Sequence, residues 1–278
     1  MAVPELGQIR IIPDWFNQRV SQGVTVTTND LYSGYSGYEM FDHRSGNLTA
    51  WNVDATSTNV AVLSDAIGES CQWMLIIDGH NMSTANGLIG IRNNSSVNVA
   101  ITTVCGSGVI TDSVYFEAGD NNIFAVETVD QTMDTLGISI DDKATWADNP
   151  AIGICHLGKI YEMPTNAQAS LSYNTKFQNK VQTAFSGASY STLYNTNPQR
   201  IIKASWEYIN WSTGSSGIDD FSTMMNQCYG SHIPVALQLS QETPITSDYF
   251  MFARITKWNQ TQMSPTLWKV SAEFTEFI

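Results

Sequence analysis

Gln72-Trp73-Met74-Leu75-Ile76-Ile77-Asp78-Gly79-His80-Asn81-Met82-Ser83-Thr84-Ala85-Asn86-Gly87 is the stretch on which the reading of this chain turns. An apolar strand runs directly into an Asp-Gly-His-Asn turn. Gly79 tolerates positive φ, and the side chains of Asp78 and Asn81 can bond nearby backbone. The plain reading is a structural turn, with His80 bonding across the loop to hold it.

Working outward, the pattern from about 40 to 164 is one of continuous short strands. Candidates are Val60–Leu63, Gln72–Ile77, Val97–Thr103, Ser113–Phe116, Ile123–Thr128 and Gly137–Ile140, closed by Ile152–Met163. Turn clusters such as Asn93-Asn94-Ser95-Ser96 and Gly119-Asp120-Asn121-Asn122 punctuate them at the spacing of a sandwich. Val97, Val99 and Ile101 alternate with Asn98 and Ala100, as a half-buried strand does. Taken with Gly46-Asn47-Leu48-Thr49-Ala50-Trp51 upstream, the opening stretch resembles the galactose-binding-like jelly rolls of phage structural proteins. That resemblance implies a sharper role for the turn. Asp78, His80 and Asn81 would form a polar ligand rim at the mouth of a jelly roll, with Trp51 stacking on a sugar ring. Trp51 reads equally well as a core tryptophan packed on the strand of Trp73. The resemblance also points to Asp42 as the acidic residue of such jelly rolls.

Before this block, Ile9–Ile12 and Val24–Thr27 read as strands separated by Pro13-Asp14-Trp15-Phe16, and Ser33-Gly34-Tyr35-Ser36-Gly37-Tyr38 as a boundary loop. After Pro164 a second unit begins. Ala169–Thr175, Gln178–Ala184, Arg200–Trp211, Pro234–Leu239, Asp248–Thr256 and Leu267–Phe277 read as strands. Between them Phe221, Met224, Met225 and Cys228 fall at helical spacing, with Asp219 as the expected N-cap. The closing pair, Asp248–Ile255 with Leu267–Phe277, resembles the final hairpin of phage minor tail and baseplate-connector proteins. Ile152–Lys159 with Tyr161-Glu162-Met163-Pro164 resembles the exit from an inserted jelly roll in such proteins. The expected organisation is therefore an N-terminal segment, 1–39, pairing back onto a tail-protein-like β domain, 165–278, with a galactose-binding-like jelly roll, 40–164, inserted between them. The fold class is all-β: a jelly-roll sandwich plus a second sandwich-like domain carrying one short helix.

Composition sets the outer limits. The chain has 278 residues, of which 42% are hydrophobic and 14% charged, with net charge -13; average domains carry roughly 25% charged residues. Phosphate neutralisation needs a basic face, and 13 Lys and Arg present none, so nucleic acid is not an expected partner. Acidity of this kind serves solubility. No apolar run approaches the roughly 20 residues of a membrane span, and no basic, then apolar, leader stands at the start. The expectation is a soluble protein made in the host cytoplasm without membrane insertion. Cys71, Cys105, Cys155 and Cys228 are too dispersed for a zinc clip and read as buried thiols; disulfides remain an alternative.

The search for chemistry yields little. Gly153…Gly158-Lys159 satisfies the glycine and lysine spacing of a phosphate loop, but Ile160 stands where magnesium needs Ser or Thr, and bulky Ile-Cys-His-Leu fills the cradle. His43, His80, His156 and His232 make no HxxH pair, so no metal site is expected at that spacing. Asp141-Asp142 and Asp219-Asp220 are adjacent, and on a strand adjacent residues face opposite ways. No serine elbow occurs. The sequence supports no enzyme, no cofactor and no catalytic residue. Its 30 aromatic residues and amide-rich composition suit a subunit covered by neighbours. The two resemblances imply a virion protein of the phage tail or baseplate, whose partners are other virion subunits and copies of itself. The alternative is a receptor-recognising module that binds host-surface glycan through Trp51, Asp78, His80 and Asn81.

Overall fold

Trp73, Met74, Leu75, Ile76 and Ile77 are each fully withdrawn from solvent, in a strand that spans Ala61–Asp78. Burial on both faces accounts for the unbroken apolar run, since a strand with one wet face alternates. One neighbour is Ile154–Lys159, with Cys155 opposite Ile77 and Leu157 opposite Leu75. The other is Asn122–Asp141, with Phe124 opposite Ile76 and Val126 opposite Met74. The computed structural model describes residues 9–19, 25–28, 31–44, 46–52, 61–81, 88–93, 97–98, 102–103, 114–115, 122–141, 149–163, 171–177, 179–183, 189–193, 198–210, 218–239 and 250–276.

The protein is an all-β sandwich. One sheet of eight strands has the order Ile154–Lys159, Ala61–Asp78, Asn122–Asp141, Leu88–Asn93, Val97–Asn98, with Val26–Thr27, Thr102–Thr103 and Val114–Tyr115 pairing along its flanks. A second sheet of seven strands has the order Tyr161–Glu162, Arg10–Pro13, Val235–Gln238, Phe250–Gln262, Leu267–Glu276, Gln199–Asn210, Ser172–Lys176. Its second strand comes from the N-terminus: Ile11 lies opposite Leu237 on one side and Tyr161 on the other.

Period-two alternation makes the seven-stranded sheet a middle layer. Ile11, Val235, Leu237, Met251, Ala253 and Ile255 point to one core. The residues between them, Ile12, Ala236, Phe250 and Phe252, point to another, where they meet Met74, Ile76, Phe124, Val126, Ile154 and Ile160 of the eight-stranded sheet and its edge. The first core is capped by the helix Ile218–Gln227, which buries Phe221 and Met224 with Cys228 just beyond its end. At the interface between the sheets, Gly158 is required by contact: a Cβ there would fall 2.0 Å from the carbonyl oxygen of Pro13.

Several expectations change. Ala61–Leu63 and Gln72–Ile77 belong to one 18-residue strand, with Val60 outside the described residues, and Ile123–Thr128 and Gly137–Ile140 belong to one of 20 residues. Register shifts at Ser64/Ile67, Ile67/Ser70 and Cys71/Trp73 carry the ladder through the residues between the two expected strands. Asp219 is not the N-cap; the helix starts one residue earlier, at Ile218. Pro13-Asp14-Trp15-Phe16 is more than a separator, because Trp15–Arg19 forms a one-turn helix behind it. Ile154–Lys159 is a buried strand. Cys71, Cys155 and Cys228 are buried, while Cys105 lies outside the described residues, as does Met82–Gly87 of the opening stretch.

Candidate functional site

Asp14 leaves the Arg10–Pro13 strand at the point where Pro13, with no N–H, ends the ladder. Its backbone N–H donates to Pro234 O at 3.1 Å. Its Oδ1 accepts the N–H of Asn17 at 3.3 Å, the N-cap bond of the short helix. Its Oδ2 accepts Asn17 Nδ2 and lies 2.5 Å from His43 Nε2. Asn17 Nδ2 also donates to Phe41 O at 3.1 Å, tying the helix to the 3-10 turn Glu39–Phe41. That turn delivers His43, which takes a left-handed backbone with φ +57°. A non-glycine residue there carries strain that its surroundings must outweigh.

His156 completes the cluster from the middle of Ile154–Lys159. Its Nε2 donates to Ile12 O at 2.9 Å. A carbonyl only accepts, so Nε2 carries the proton and Nδ1 the lone pair. The imidazoles of His43 and His156 meet edge to face at 5.1 Å, and Phe252 packs on both at 5.5 and 5.6 Å. Asp14 and His156 are 0% exposed and His43 9%. One donor atom from each of the three residues lies within 4.8 Å of the others.

Charge in this pocket is sorted by burial and by contact. Burial alone would push the Asp14 carboxyl up, but the charge and hydrogen bond of His43 outweigh it, helped by His156 and Asn17, and hold it below the usual carboxylate range. Burial drives His156 down to about 4, so at neutral pH it is the neutral tautomer that its Ile12 bond requires. Burial pushes the Cys155 thiol far up, and the Asp14 charge adds to the effect, which makes Cys155 inert.

The four residues singled out by the sequence sit elsewhere. Trp51 is 0% exposed; its N–H donates to Pro150 O at 2.9 Å, so it offers no ring face to solvent. Asn81 is exposed, but both ends of its amide are used: Nδ2 donates to Asn149 O at 2.8 Å, and Oδ1 accepts the N–H of Ala151 at 2.8 Å. The structure thus brings Trp51 and Asn81 to one segment, 149–151. His80 is 4% exposed, and burial pushes its imidazole down to about 4. Asp78 is partly buried, and burial raises its carboxyl. Gly79 supplies the positive φ, +70°, that the turn demands. Asp42 accepts the N–H of Arg44 and Asn47 Nδ2, which shapes the loop before Trp51.

Sequence reasoning misses Asp14, His43 and His156 because no spacing connects them; pairing of distant strands does. One signal was present: His156 stands inside an otherwise apolar run, where an imidazole has to find polar partners. No family model matches the chain, and no curated protein is significantly similar to it.

Proposed function

We propose that the protein is a structural subunit of a tailed-phage particle, in the tail or baseplate, and that its activity is assembly. Tyr208 carries this reading. It lies where Gln199–Asn210 slips in register against Leu267–Glu276, between Trp206 and Ile209. Its φ is +63°, and it is 58% exposed. A backbone that holds a bulky aromatic outward against its own preference fits a residue that a neighbour uses. Tyr229 repeats the combination, at φ +47° and 65% exposure. Tyr32, Tyr35 and Tyr38 are exposed on the loop that leads to His43. Aromatic anchors of this kind are typical of subunit contacts, and closed symmetry multiplies weak ones. In this reading the eight-stranded sheet belongs to a galactose-binding-like jelly roll and the seven-stranded sheet to the tail-protein-like unit.

The test is electron microscopy of the purified chain, together with gold-labelled antibody on intact phage particles. Rings or tubes of the chain, and label confined to the tail, are expected. A monodisperse monomer at high concentration, with unlabelled particles, overturns the proposal.

A further inference from the structure

We propose that Asp14, His43 and His156 bind a divalent transition-metal ion of the Zn2+ class, and that the ion ties the N-terminal strand, the 31–44 loop and the eight-stranded sheet together. Two imidazoles and one carboxylate are a common donor set for such ions. Their donor atoms already lie within 4.8 Å of one another, where ligands at about 2.1 Å from one ion stand roughly 3.4 Å apart in tetrahedral geometry. Rotation of side chains closes the site: the most distant donors draw together by about an ångström, and His43 Nε2 and Asp14 Oδ2, now 2.5 Å apart, part by about as much to admit the ion.

The second observation is His156 itself. Its Nδ1 is buried and has no hydrogen-bond partner. Because Nε2 donates to Ile12 O, Nδ1 presents a lone pair in a fixed direction. An imidazole whose far nitrogen is anchored on a backbone carbonyl is the usual arrangement of a metal-bound histidine. Asn17 plays the corresponding part for Asp14, donating to its carboxylate from main chain and side chain. An ion between His43 Nε2 and Asp14 Oδ2 replaces the proton now shared there, so binding releases that proton when His43 is charged. His156 Nδ1 is the third ligand, and water takes the fourth position.

The experiment uses the full chain, stripped with EDTA and titrated with Zn2+ and, separately, Co2+. One equivalent per chain is expected, with a visible Co2+ spectrum of tetrahedral type and a rise in melting temperature. His43→Gln and His156→Gln should weaken binding at least 100-fold, whereas His80→Gln and His232→Gln leave it unchanged. Far-UV circular dichroism of the stripped variants establishes that they fold. If a variant does not fold, the wild-type Co2+ titration decides by itself. Absence of stoichiometric binding at micromolar metal, or binding that follows His80 or His232, overturns the proposal.

Discussion

His43 Nε2 lies 2.5 Å from Asp14 Oδ2, and the two side chains are only 4% and 1% exposed. The pair joins the end of the first strand to a strained turn in the 31–44 loop. Each partner answers the cost of burying the other, so neither can be removed alone.

Asp14→Ala in metal-stripped protein therefore leaves the buried His43 imidazole without the carboxylate it faces. It also deletes the N-cap of the Trp15–Arg19 helix. A loss of about 3–5 kcal/mol is expected for breaking the buried pair, read as a lower midpoint in urea unfolding with the slope unchanged.

Gly158→Ala drives a methyl group onto the Pro13 carbonyl and to within 2.7 Å of Ile12 Cγ2. Overpacking of this kind costs about 1–3 kcal/mol, and the carbonyl is backbone that cannot swing away. Gly46→Ala is the control, since nothing lies within 4 Å of its added Cβ. A thermal melt should separate the two variants by several degrees.

Tyr208→Gly removes both the strain and the display. The isolated chain should hold its stability or gain up to about 1 kcal/mol, because glycine accepts positive φ. Assembly by the same chain should fail, read as loss of rings or tubes in micrographs. A variant that assembles normally removes Tyr208 from the contact.

The acid response of the fold should carry a contribution from His80. Its folded pKa is depressed to about 4 by burial, against about 6.5 when unfolded. Between those values the unfolded chain holds the proton and the native chain does not, so stability is full above about pH 6.5 and falls as the pH drops toward 4. By pH 5 the loss is on the order of 2 kcal/mol. Urea midpoints at pH 7.5 and 5 should differ for the wild type and differ less for His80→Gln.

Trp51→Ala tests a different point. With Trp51 fully buried, truncation leaves a cavity and should cost about 3–5 kcal/mol. Retention on glycan is then better probed with Asn81→Ala, whose side chain is at the surface. Retention unchanged by that substitution counts against a sugar-binding rim at the turn.

The β class was legible because Trp73–Ile77 carries a strand signal that no helix period fits; Val99 and Ile101 of the alternating run lie outside the described residues. The helix was legible too, since Phe221, Met224 and Cys228 face one core at helical spacing. Its first residue was not, because Asp219 and Ile218 differ by one position and local signals resolve ends poorly. The 18- and 20-residue strands were hidden by bulges, which let polar residues stay in a ladder without obeying its alternation. Asp14, His43 and His156 were hidden for another reason. Their meeting depends on Arg10–Pro13 lying against Val235–Gln238 and near Gly158, and a linear pattern contains no trace of that.

The place of Arg10–Pro13 between Tyr161–Glu162 and Val235–Gln238 also fixes an order of events during synthesis. The strand is made well before Val235–Gln238, so one of its two hydrogen-bonding edges waits for residues far downstream. Until then Ile11 and Ile12 have only half their sheet, and the loop to be closed runs from Pro13 to Val235. Contacts so distant in sequence make folding slow and leave partly built chains open to aggregation. A nascent chain that stalls before Val235 should bind chaperones, and protease resistance should appear only once Val235–Gln238 has emerged.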